Sequence, residues 1–236
     1  MRRSLAAIRR RIVGCERCPE LRCYCAQVAR ARKPEFASFA YWGRPVPGLG
    51  SADAQLLIVG LAPAAHGGNR TGRMFTGDGS AAWLAPALFR AGFATQPTSN
   101  TAGDGFALRN AFMTAALRCA PPKNKPTLNE LRNCADHMRD ELDALQSVRV
   151  VVGLGKIAFN TILERLRERG YGIPKPRPRF AHGAEYELKS PDRQPLRLMA
   201  SFHPSRQNTN TGKLTRAMLD GVFRRARSLL RSHERE

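Results

Sequence analysis

Four short apolar runs, at residues 54–60, 112–117, 148–152 and 196–202, constrain this chain more than any other feature of its sequence. Helix-length amphipathic patterns at 81–91, 128–145 and 156–169 separate most of them. Each run is the length of a buried strand, and strand alternating with helix implies a parallel sheet covered on both faces. The expected fold is α/β: a three-layer αβα arrangement with a short central, mainly parallel sheet. At 236 residues one sizeable core suffices, so 1–236 is expected to be a single domain. In such a fold ligands bind beyond the carboxyl ends of the strands. The chemistry-bearing residues gather there, at 60–78, 119–126, 153–156 and 203–212.

The segments outside this alternation are basic. Residues 1–35 form a cysteine-rich stretch with arginines at 2, 3, 9, 10, 11, 17, 22, 30 and 32, expected to be helical at its start and to serve in docking. Pro45, Pro47 and Gly48 mark a loop, and Pro174, Pro176 and Pro178 make 172–180 an extended basic excursion. Residues 214–236 read as a basic amphipathic helix. Lys and Arg number 39 against 19 Asp and Glu, a net charge of +20, so the chain should seek polyanions. Nucleic acid is the first candidate and an anionic membrane surface the second. No run of 18 apolar residues exists, and the start leads into Arg9, Arg10 and Arg11 rather than an apolar signal core. A soluble cytoplasmic monomer with no membrane partner is expected.

Six cysteines in a chain of that kind argue for metal or redox chemistry rather than a disulfide framework. Cys15 and Cys18 form a C-x2-C knuckle, while Cys119 and Cys134 flank a proline-rich loop and a helix start. Four converging thiolates suit zinc or a 4Fe-4S cluster, and spacing alone does not separate the two. A local zinc knuckle of Cys15, Cys18, Cys23 and Cys25 is an alternative, as is a dithiol made of Cys23 and Cys25. Cys119 and Cys134 could also be plain buried thiols. Against that stands Cys119's place just before Pro121-Pro122-Lys123-Asn124-Lys125-Pro126, which is an unusual way for a strand to end.

After the first strand the sequence runs GLAPAAHGGNRTGRMFTGD, from Gly60 to Asp78, and after the last it runs SFHPSRQNTNTG, from Ser201 to Gly212. A loop so rich in Gly and small residues lets backbone approach a ligand closely. Together with RCAPPKNKP at 118–126 and the four cysteines, these segments resemble the uracil-DNA glycosylase superfamily, and within it the type-5 branch. The resemblance spans 15–215. It implies a 4Fe-4S cluster, structural rather than catalytic, held by Cys15, Cys18, Cys119 and Cys134. It also implies removal of uracil and other deaminated or damaged bases from DNA, with the cytoplasmic chain of a bacterial or archaeal type reaching the nucleoid through DNA.

The chemistry such an enzyme needs matches residues at these strand ends. A base must be flipped from the duplex and stacked, for which Phe75 is the natural platform. As the bond breaks, the sugar needs an anion nearby and the departing base needs donors, roles for Asp78 and His203. By the resemblance, Asp78 orients or deprotonates water, Asn124 assists, and His203 stabilises the base through its O2. Ala62, Ala64 and Ala65 carry no group able to activate water, so the base must lie elsewhere. Gly60, Ala62 and Ala64 are then substrate-binding through backbone. Ala115 stands where other branches have a uracil-reading Asn, which implies relaxed base selection. Arg70, Lys123, Lys156, Ser205, Arg206 and Gln207 are expected to contact DNA, with Arg206 or Gln207 as the wedge, and Arg73, Lys125 and Lys213 flank the same strand ends.

Each of these residues has a plainer role open to it. Asp78 could be only a helix N-cap, His203 a satisfied core histidine and Phe75 a core residue. Gly153-Leu154-Gly155-Lys156-Ile157-Ala158 imitates a dinucleotide fingerprint, but no acidic residue is placed to hold a ribose. The helix start there is better suited to a DNA phosphate. A non-catalytic iron-sulfur or zinc module that binds DNA through charge alone is the rival function.

Overall fold

The computed structural model describes residues 3–232. Arg2 of the basic start and 233–236 of the basic tail lie outside the described residues. Six strands form one sheet: β1 (Leu49–Gly50), β2 (Leu56–Gly60), β3 (Ala111–Ala115), β4 (Val150–Leu154), β5 (Glu185–Ser190) and β6 (Arg193–Ser201), in the order β1-β3-β2-β4-β6-β5. The inner four are parallel, and β1 and β5 add antiparallel edges.

Every residue of β2, β3 and β4 is buried, as continuous apolar runs require of strands covered on both faces. Side chains alternate between two cores. Leu56, Ile58, Met113, Val150 and Val152 face one layer, built from α4 (Ala81–Arg90) and α8 (Arg216–Ser232). Leu57, Val59, Phe112 and Val151 face the other, built from α5 (Leu128–Ala144) and α6 (Lys156–Glu168). The three-layer expectation therefore holds. The basic tail is an amphipathic helix as expected, but its inner face, with Leu219, Val222, Phe223 and Ala226, is part of the core.

The two edge strands escape the apolar pattern. β5 carries Glu185, Glu187 and Lys189 with only Leu188 buried, as an edge strand can. β3 ends two residues sooner than its apolar run does. The chain leaves the sheet there with the Ala116 and Leu117 N–H groups still donating to the Gly60 and Leu61 carbonyls.

At the start, α1 (Leu5–Val13) and α2 (Pro19–Ala31) pack on the body, α1 capped by the Ser4 hydroxyl. Arg3 and Arg11 both reach Asp140 of α5, and Arg17 reaches Asp136 at 2.9 Å. Three arginines of the basic segment thus dock onto the chain's own acidic helix.

From β2 the chain moves outward to β3, then returns past β2 to β4 and on to β6. The loops after β2 and β4 leave in opposite directions, opening a crevice at the carboxyl edge.

Candidate active site and thiol cavity

The β2 loop builds one wall of that crevice. Phe75 takes a left-handed backbone (φ 47°) and lays its ring against the end of the strand, where a Cβ on Gly60 would come within 2.5 Å of the ring. Only glycine at position 60 permits this. The same holds at Gly67, where a Cβ would meet the Asp78 carboxylate at 2.2 Å. Phe75 is both core and cleft: it is 9 % exposed, and its ring centre lies 6.1 Å from that of His203.

Asp78 accepts a hydrogen bond from the Ala81 N–H at 2.9 Å and so caps α4, while its side chain remains at the crevice. Burial pushes its carboxyl pKa upward, against the N–H groups of Ala81 and Ser80 and the charges of Arg70 and Arg206, which pull it down. The α4 start also explains why a capping residue suits this position.

Two arginines of the loop are not at the surface. Arg70, expected to contact DNA, is 5 % exposed. It donates to the carbonyls of His66 (2.8 Å) and Gly77 (3.0 Å) and lies over the rings of Phe36 and Phe39. Buried and committed to these partners, it cannot serve as the expected phosphate contact. Arg73 is likewise internal, donating to Thr76, Ser99, Asp104 and the Ala102 and Phe106 carbonyls. Burial would push the Asp104 pKa up, but Arg73 and the N–H groups of Phe106, Asn100 and Thr101 outweigh it and hold it at about 2.

The β6 exit supplies the opposite wall. His203 is half-buried, and burial pulls its pKa down to about 4, so the imidazole is neutral near pH 7. Its carbonyl accepts from the Asn208 amide at 2.8 Å, which ties it to α7 (Arg206–Asn210). Ser205 caps α7 through Asn208 N–H, so its hydroxyl already serves as an acceptor within the loop. Arg206 and Gln207 are exposed, with Arg206 lying over Gly79 beside Asp78. Gly155, the N-cap of α6, lets His203 pack closely, a packing reason for part of the dinucleotide-like run.

Lys156 is exposed at the start of α6. Lys123 and Asn124 are exposed after β3, both in left-handed backbone (φ 54° and 56°). Ala115 is buried and pairs in register with Gly60. Ala62 packs toward the third, smaller core, and the Ala64 carbonyl accepts from the Gly67 and Asn69 N–H groups.

That smaller core lies beside the β3 exit. Cys15, Cys18, Cys119 and Cys134 line one cavity with Leu21, Pro45, Arg17, Arg22, Arg118 and Asn133. Burial pushes the Cys134 thiol up to about 11. The Nε atoms of Arg22 and Arg118 are buried without a hydrogen-bond partner. Among the described residues no group of three His, Cys, Asp or Glu is spaced for a single metal ion.

The compact knuckle and the dithiol both fail here. Cys23 and Cys25 are two residues apart on α2 and cannot face each other. Cys23 is exposed, while Cys25 is buried against Cys119, its thiol donating to the Ala120 carbonyl at 3.6 Å.

Sequence reasoning missed Ser99 and Asp104, which anchor the Phe75–Asp78 turn from a segment without regular pattern. It also missed Glu141, buried in α5, which accepts from Arg118 and Thr114 at 2.6 Å and from the Gly48 N–H at 3.2 Å. A charged residue on the apolar face of a predicted helix was the available signal for Glu141; Ser99 and Asp104 left none.

A crevice with an aromatic floor, a carboxylate on one wall and a neutral imidazole on the other, beside a cavity of thiols, defines a class. The family model of the uracil DNA glycosylase superfamily matches residues 47–227, and the chain belongs to that superfamily. Within it, the chain is 47 % identical to the type-5 uracil-DNA glycosylase of Thermus thermophilus over 92 % of its own length and 94 % of the relative's. It is 45 % identical to that of Pyrobaculum aerophilum (92 % and 89 % covered) and 44 % to that of Mycobacterium bovis (96 % and 82 %). Among the described residues no helix is long and apolar enough to cross a membrane.

Proposed function

We propose that this protein is a monofunctional DNA glycosylase that hydrolyses the N-glycosidic bond of uracil, and of other deaminated or damaged bases, in DNA and leaves an abasic site. The observation that carries this reading is the half-buried Asp78 carboxylate beside Phe75, in the crevice that neutral His203 also enters.

The target nucleotide leaves the stack and its base lies on Phe75, against the backbone of Gly60, Ala62 and Ala64. Asp78, as the carboxylate, orients the attacking water and accepts its proton while its charge stabilises the electron-poor sugar. His203, being neutral, donates an N–H to the base oxygen that gains charge. Asn124, exposed at the mouth, assists from the β3 loop. The methyl of Ala115 reads no hydrogen-bonding edge, which supports a broad choice of base. Lys123, Lys156 and Arg206 hold backbone phosphates, and Arg206 or Gln207 fills the vacated stack. Ser205 helps by shaping the turn that presents them. The protein acts as a monomer.

The donor set also suits a 4Fe-4S cluster: four thiols around one cavity that Arg17, Arg22 and Arg118 also line, with the buried Nε of Arg118 lacking a hydrogen-bond partner. Cys15, Cys18, Cys119 and Cys134 would hold it, and it would supply a cross-link between the N-terminal helices, the β3 exit and α5.

The test is a gel assay with end-labelled duplexes carrying one uracil, one hypoxanthine or no lesion, treated with alkali after incubation. Alkali-dependent cleavage at the lesion alone is expected. Asp78→Asn should lose about 10²–10⁴-fold in rate while retaining DNA affinity. A duplex left uncut by folded protein would favour the non-catalytic DNA-binding module instead.

A further inference from the structure

The two buried arginines of the β2 loop are not equivalent. Arg73 holds the outside of the turn, through Ser99 and Asp104. Arg70 holds the two backbone stretches that touch the catalytic carboxylate. One of its hydrogen bonds goes to the His66 carbonyl, just before Gly67, against which Asp78 packs. The other goes to the Gly77 carbonyl, in the peptide that leads into Asp78. The Gly77 N–H in turn donates to the Ser99 carbonyl at 2.8 Å, so this one residue is gripped on both sides. Arg70 is itself fixed by the Phe36 ring 4.1 Å from its guanidinium carbon, and by its own carbonyl, which accepts from Trp42 N–H at 2.8 Å.

We propose that Arg70 is a positioning residue for base excision: its guanidinium staples the Gly67 and Gly77 sides of the loop together, fixing where the Asp78 carboxylate points, and its charge acts on that carboxylate. This inference rests on the proposed role of Asp78 as the general base. Charged hydrogen bonds from a rigid fork are strong and directional, so few other side chains could span both carbonyls. The groups acting on the carboxylate are burial, the N–H groups of Ala81 and Ser80, Arg70 from α3 (Gly68–Thr71), and Arg206 at the start of α7; His203 stands across the cleft, beside Phe75. Burial disfavours the anion and Arg70 favours it. Taking the charge away therefore raises the pH below which Asp78 is protonated and idle.

The experiment measures single-turnover excision of uracil from duplex DNA against pH for Arg70→Met and Arg70→Lys, with thermal melts to establish folding. Arg70→Met should slow excision about 100-fold, as a small displacement of a catalytic group does. Its acid limb should also move to higher pH. Arg70→Lys keeps the charge but not the fork, so its limb should stay in place while its rate remains well below that of the wild type. A folded Arg70→Met with the wild-type rate, or with a slowed rate and an unmoved limb, overturns the proposal. If Arg70→Met does not fold, Arg70→Lys decides: a wild-type rate or a moved limb overturns it. Asp78→Asn separates the two layers of argument. Full activity in that variant would remove the base assignment itself, whereas an inactive Asp78→Asn beside a wild-type-like Arg70→Met would remove only the role of Arg70.

Discussion

The cleft and the thiol cavity adjoin the same edge of the sheet, yet they are finished to different degrees. In the cleft loop the buried charges and hydroxyls answer one another: Arg73 with Asp104, Thr76 with Ser99, Arg70 with two carbonyls. Around the cavity more buried atoms lack hydrogen-bond partners: Nε of Arg22, which has only the Glu16 carboxylate at 3.6 Å, Nε of Arg118, and one turn beyond Cys134 both ring nitrogens of His137, against Oδ1 of Asn69 in the cleft loop. Burial and the neighbouring arginines hold His137 neutral, its pKa lowered to about 4. The protein's own groups preorganise the cleft more fully than the cavity, where the proposed cluster would supply the missing partners.

The largest effect expected from this contrast is at the socket. Cys134→Ala should lower the melting temperature by about 10 °C or more, because the binding free energy of the proposed cluster would be part of the folding free energy. The visible charge-transfer absorbance of the proposed cluster should vanish with it; a variant that melts like the wild type would mean that the cavity is as self-sufficient as the cleft. Next is the brace. Arg73→Ala removes the guanidinium that Asp104, Ser99 and Thr76 share and should cost about 2–4 kcal/mol in urea unfolding, with a loss of excision rate and no loss of the visible absorbance. Equal damage to both would show the two regions to be one cooperative unit. The smallest effect belongs to the outer cations. Lys156→Ala should weaken DNA binding by about 1 kcal/mol and reduce the salt slope by about one, at unchanged stability.

How far the sequence reached follows from what each residue's neighbours are. The parallel strands were legible because both their faces are buried, which leaves an uninterrupted apolar run; β5 was not, because its outward side chains are charged. The alternation predicted the carboxyl edge as the place for a site; Phe75 and His203 face each other there with ring centres 6.1 Å apart, and Asp78 lies against Gly67 of the same β2 loop. Arg70 and Arg73 misled because an arginine in a glycine-rich loop of a basic chain has the same letter whether it faces a phosphate or a carbonyl. What decides is Phe36, Asp104 and Gly77, brought close only by folding. Cys25 misled for a related reason: adjacency to Cys23 in sequence is not adjacency on a helix, and its actual neighbour is Cys119.

The Arg118–Glu141 pair, 1 % and 3 % exposed, has a consequence for how such a chain can change over generations. Thr114, Gly48 and the Val46–Arg118 backbone bond all converge on it. Removing either charge strands the other in the core at about 3–5 kcal/mol, whereas exchanging both for apolar groups that fill the space can be neutral. Single mutational steps at these two positions therefore lead downhill, and the alternatives lie across a valley that only a coordinated double change can cross. A lineage that acquires this pair keeps it, whether or not it contributes anything to excision.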